Sequence, residues 1–225
     1  MPVTHGRSPK ATRRLTAVIS ATVAATVVLA VKAAAPPRGS NVSTPEGTRA
    51  AAQRLESKFR VLQTPNARPA SSYPPVIITE NEANAYLQVH GRDFLPAGVH
   101  NPGVRMEPEH VTGFAAVNFE EFSRIYSNPN DWGPKVLAAM FKGTQQVIAT
   151  GKVQSDNGQA RVEIESVKVG SMKVPGWLVD FVVQNYLQPR YKFDLGKPIP
   201  LPQHVSQIVI GTGQTIFLRN PVKGH

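Results

Sequence analysis

The sequence contains no cysteine, and that absence removes several chemistries at once. It leaves no disulfide framework, no cysteine-based zinc site and no thiol nucleophile. Histidine is sparse: His5, His90, His100, His110, His204 and His225 include no i, i+4 pair or short cluster of the kind a metal site needs. The even spacing of His90, His100 and His110 has no mechanical meaning, and they read as solvated loop residues. No serine sits in a Gly-x-Ser-x-Gly elbow, and the Gly211-x-Gly213 pair lies between two strand patterns, where it reads as a turn. The carboxylates Glu120, Glu121, Asp131 and Asp180 follow no acid/base pattern that spacing alone can reveal. The expectation is a protein that is not an enzyme and uses no cofactor or metal.

What is present begins at the N-terminus. Arg7, Lys10, Arg13 and Arg14 precede Leu15–Val31, seventeen residues without a charge. A basic segment followed by an apolar one marks an export signal or a membrane anchor. Both readings of residues 1–35 stay open. The run is at the lower limit for crossing roughly 30 Å of hydrocarbon, and it is rich in Ala and Thr. Ala33-Ala34-Ala35 has the small residues of a signal-peptidase site, although Pro36 disfavours a cut after Ala35. Either way, the rest of the chain is expected outside the cytoplasm, anchored to an inner membrane with Arg13 and Arg14 on the cytoplasmic side, or exported to the periplasm or beyond.

The formal charge of +10 divides evenly: five cations and no acid lie in residues 1–35, leaving 20 basic and 15 acidic residues after them. The body is mildly cationic. It has no Lys/Arg run and no aromatic-and-basic platform, so nucleic acid is not an expected partner.

Residues 36–75 read as a tether holding one amphipathic helix. Thr44-Pro45 resembles a capped helix start, and Ala51, Leu55, Phe59 and Leu62 form one apolar stripe. Proline residues 65, 69, 74 and 75 break the chain afterwards. A single domain over 76–225 follows. Val76-Ile77-Ile78 is a strand signal, and Thr79 with Glu82 makes a capping box for a helix running to about Val89, closed by Gly91 and Pro96.

Further on, residues 111–119 alternate but are apolar on both faces, and a helical turn is expected after Glu120. Lys135–Phe141 is a short apolar segment. Residues 147–153 and 161–169 flank Asp156-Asn157-Gly158, a strong hairpin signal. Trp177–Leu187 is the most apolar helix of the body, of a kind that is deeply buried or caps an apolar groove. A closing hairpin spans His204–Ile210 and Gln214–Arg219. This is an α+β pattern with a largely antiparallel sheet packed against a few helices.

The string Val76–Leu87, Val174-Pro175 before an apolar helix, Pro200-Leu201-Pro202 and the hairpin around Gly213 carry a resemblance. Over residues 76–219 the chain resembles the YpmS-like and LmeA-like proteins, which have an N-terminal membrane anchor and an extracytoplasmic lipid-binding-type domain. The resemblance implies a curved antiparallel sheet with a helix on its concave side, forming an apolar groove. It transfers no functional residue. The residues themselves nominate Val111, Val117, Phe119, Trp177, Leu178 and Phe181 as the groove lining, and a filled core is the competing reading. The functional expectation is a bacterial envelope protein that binds or shuttles a lipid or other apolar ligand. The alternative is an assembly factor of the cell envelope, with helix 46–62 contacting a protein partner.

Overall fold

The computed structural model describes residues 44–63, 74–126, 133–188, 197–202 and 205–219. The expected leader, the first part of the tether and the proline-rich stretch to Tyr73 lie outside the described residues, as do Asp131 and His204.

Helix α1 (Pro45–Gln63) starts where Thr44 predicts: its hydroxyl accepts from the Gly47 N–H at 3.2 Å. Strand β1 (Val76–Thr79) leads into α2 (Glu80–Phe94), whose capping box is complete. Glu82 N–H donates to the Thr79 hydroxyl at 3.3 Å, and Thr79 N–H donates back to Glu82 at 2.9 Å. The helix runs past Gly91 instead of ending there. A Cβ at that position would meet Leu95 Cδ1 at 3.1 Å and Pro102 Cγ at 3.4 Å, so this glycine permits a close approach and is not a stop signal.

A meander follows: β2 (Val99–Glu107), β3 (His110–Asn118), helices α3 (Phe119–Tyr126) and α4 (Gly133–Met140), then β4 (Thr144–Asp156) and β5 (Gln159–Val169). The β4–β5 turn places Asn157 and Gly158 at φ 50° and 75°, the left-handed conformations that residue pair favours. Next come β6 (Met172–Lys173), helix α5 (Gly176–Val182) with a π-helical turn at Val183–Leu187, and β7 (Ile199–Pro200). The chain closes with the hairpin β8 (Val205–Gly211) and β9 (Gln214–Arg219). Strand β2 goes beyond the strands expected from sequence: it carries Pro102 and slips register between His100 and Gly103, which hides its alternation.

All pairing is antiparallel, confirming the α+β class. The larger sheet has the order β2-β3-β4-β5-β6 with β7 also on β5, and the smaller one has the order β1-β9-β8.

Two apolar clusters share one face of the large sheet. The first joins Leu55, Phe59 and Leu62 of α1, Leu87 of α2, Val104, Met106 and Val111 of the sheet, and Val205, Ile208, Ile210 and Phe217 of the closing hairpin. Helix α1, expected as part of the tether, therefore packs into the same core as residues beyond Val76. Its stripe is buried because α2 and the small sheet lie against it. Lys58 of α1 also reaches both Glu82 oxygens, at 2.7 and 2.6 Å.

The second cluster gathers Phe119, Leu137, Phe141, Val169, Val174 and Leu178. It sits where β3 ends, β4 begins and β5 ends, beneath α3, α4 and α5.

Candidate functional site: an apolar cleft

The second cluster is hollow. A partly open cleft of about 220 Å³ lies between the large sheet and the three helices. Its floor is set by register. Gly113 pairs with Ala149 and Ala149 with Val167, while Ala115 pairs with Val147 and Val147 with Val169. Gly113, Ala115 and Ala149 are too small to reach the covering helices, so the middle of this face stays unfilled. One further row along, Val111, Gly151 and Ile164 pair in the same way.

Helix α5 supplies the roof. Leu178, Val179, Val182 and Val183 repeat at four-residue spacing and face the cleft. Phe122 of α3, Leu137 of α4 and Phe141 close one side, and Leu95, Pro96, Val99 and Pro102 close another. The rings of Phe119 and Phe141 lie 5.2 Å apart at a tilted angle. The loop before β2 is held tightly: Gly98 sits at φ 83°, and a Cβ there would meet the Asn118 carbonyl oxygen at 2.7 Å.

Every side chain lining the cleft is apolar. None can donate or accept a hydrogen bond, hold a metal, or act as acid, base or nucleophile. Among the described residues no group of His, Asp and Glu could hold a metal ion. The groups with displaced pKa values lie elsewhere. For Glu82, burial pushes upward but is outweighed by hydrogen bonds from Lys58 and the Thr79 backbone, so its pKa is lowered. Tyr86 is raised by burial. His110 is raised by the Pro108 carbonyl at 2.9 Å and then by Glu165 at 3.3 Å.

The structure separates the six residues nominated from sequence. Val117, Phe119 and Leu178 line the cleft. Phe181 is half-buried against the same cluster without lining the cavity. Val111 is fully buried in the first cluster, where β8 and β9 cover its end of β3. Trp177 is 62% exposed, because it lies on the side of α5 opposite the roof residues. The expectation that these two line a groove is therefore corrected. The small floor residues were missed, although their alternation with valines was visible in both strands.

His90, His100 and His110 are not loop residues either. His90 lies on α2, 2.7 Å from Glu56; His100 lies on β2, 3.3 Å from Glu121; His110 opens β3.

The fold and site thus define an antiparallel α+β domain with a cleft lined by apolar side chains under a helical cover. No protein-family model matches the chain, and no curated protein is similar to it. Among the described residues no helix is long and apolar enough to cross a membrane.

Proposed function

We propose that the domain binds the acyl chain of an amphiphilic lipid in the cleft, as a non-enzymatic envelope protein tethered by, or exported through, its N-terminal segment. The observation that carries this reading is the lining itself, apolar at every position. A dry cavity of about 150 Å³ is enough for benzene, so about 220 Å³ accommodates a length of alkyl chain. It does not accommodate a polar headgroup, which would be buried without a partner. The headgroup stays outside and only the tail enters. Each buried methylene contributes about 0.8 kcal/mol, so roughly six would give about 5 kcal/mol before the cost of immobilising the chain.

The resemblance to anchored lipid-binding-type proteins supports the same direction, as does the basic-then-apolar leader. The assembly-factor alternative has helix 46–62 contact a protein partner; its apolar stripe is buried in the body, which leaves only the exposed face of α1 for that contact.

The test is titration of delipidated protein with a fluorescent fatty acid. Saturable uptake is expected in the wild type and strong loss in Ala149→Leu, whose side chain would occupy the floor. Absence of uptake, or uptake unchanged by that substitution, sinks the proposal.

A further inference from the structure

We infer that the cleft end of the domain docks on an anionic lipid bilayer, inserting the exposed apolar residues of its connectors among the headgroups. The inference rests on the lipid reading of the cleft and adds the surface from which the lipid is taken. Its starting observation is where large apolar side chains meet solvent. Ile125, Met140, Met172 and Trp177 are all exposed, and all four lie on the connectors at the cleft end: the last turn of α3, the end of α4, β6 and the first turn of α5. Met140 adjoins the lining residue Phe141, and Trp177 adjoins Leu178.

The other exposed apolar residues, Val61, Val89, Ile77 and Val209, lie on the outer faces of α1, α2 and the small sheet. None of them adjoins a residue that lines the cleft. An indole with its polar N–H belongs at headgroup depth, and methionine and isoleucine side chains gain by entering the acyl boundary.

Charge selects the kind of surface. Arg124, Lys135, Lys142 and Lys173 are exposed on or beside the same connectors, against Glu120, Glu121 and Asp180. Glu121 already faces His100 at 3.3 Å. A second observation points to an anion. Lys168 of β5 and Lys173 of β6 are direct cross-strand partners, an arrangement that repels. Among the described residues no carboxylate forms an ion pair with either lysine. A lipid phosphate between them would relieve the repulsion. Juxtamembrane cations of this kind each gain roughly fivefold in partitioning onto an anionic surface.

The absence of native cysteine makes the test direct. Full-length Met172→Cys and Val209→Cys proteins, each carrying a nitroxide, are mixed with vesicles of phosphatidylcholine containing phosphatidylglycerol. The leader acts equally on both, so the difference between the two positions is the readout. The label at 172 is expected to gain contact with oxygen in the bilayer and lose contact with a water-soluble relaxant, while the label at 209 stays aqueous. Lys142→Gln and Lys173→Gln should each lower the docked-to-undocked ratio roughly fivefold, as should replacement by pure phosphatidylcholine vesicles.

Equal water contact at 172 and 209, or docking indifferent to phosphatidylglycerol, overturns the inference. Fatty-acid uptake from free solution, measured on the same samples, separates the two ideas. Uptake without insertion fails the docking surface alone; insertion without uptake fails the cleft reading alone.

Discussion

The two ends of the large sheet share one inner face yet are built to opposite purposes. At the β2–β3 and β4–β5 turn end the face is sealed. The small sheet is joined to it by Glu109 N–H to the Ile210 carbonyl at 3.2 Å and Gly158 N–H to the Ser206 carbonyl at 2.9 Å. Ser155 uses its hydroxyl twice, donating to the Ile208 carbonyl at 2.8 Å and accepting from the Ile208 N–H at 2.6 Å. At the other end the covering helices stand over Gly113, Ala115 and Ala149, which do not reach them, and a hole is left. A two-residue step along β3, from Val111 to Gly113, crosses from filled to hollow. The difference shows that side-chain volume on the sheet decides where a cavity forms, since both ends have apolar covers.

The largest expected effect is at the sealed end. Leu87→Ala removes a fully buried side chain between α2 and the sheet and should cost about 3–5 kcal/mol, read from the denaturant midpoint. Leu178→Ala is equally buried but borders an existing void, so it should fall at or below the lower part of that range. Equal losses would break the contrast.

Cavity filling sharpens it. Gly151→Leu at the sealed end should overpack and cost about 1–3 kcal/mol, whereas Ala149→Leu should leave stability unchanged or raised while abolishing fatty-acid uptake.

A smaller effect tests how α1 is held. Glu82 is 94% buried at its side chain and serves both the α2 cap and Lys58, so Glu82→Gln should cost about 1–3 kcal/mol at neutral pH. Its lowered pKa means that the folded state binds the proton less tightly than the unfolded chain does. The stabilisation is therefore present above the ordinary glutamate range and lost as pH falls through the depressed value. Acid titration of the midpoint should lose that slope in the variant.

The smallest effect concerns His110. Its pKa is raised, so its contribution is complete below the ordinary histidine value and fades as pH rises through the folded one. His110→Gln should flatten only a slight decline of stability near neutral pH, because the ring and its partner Glu165 are both partly open to solvent.

Local signals in the sequence were readable where neighbours a few residues apart decide the outcome. The Thr79–Glu82 box and the Asn157-Gly158 turn are of this kind, and both form as expected. The α+β class followed from adding such signals. What sequence could not show depended on distant segments. Val111 and Val117 project from the same face of one strand, and only the position of β8 and β9 assigns them to different clusters. Trp177 belongs to a helix apolar around most of its circumference, so its outward direction depends on which side meets the sheet. The stripe of α1 marked an apolar face without fixing what covers it.

The edge of β2 carries a consequence of its own. At Val104 and Met106 the outward backbone N–H and C=O are occupied: the Asn84 amide donates to the Val104 carbonyl at 2.9 Å and accepts from its N–H at 2.6 Å. Glu80 accepts from the Met106 N–H at 2.8 Å, and Gly213 N–H donates to the Met106 carbonyl at 2.9 Å. Two side chains of α2 and the backbone of the β8–β9 turn thus stand in for a neighbouring strand. A second copy cannot add a strand over these two residues, so crowding of many copies on one surface does not propagate edge-to-edge pairing through this part of β2.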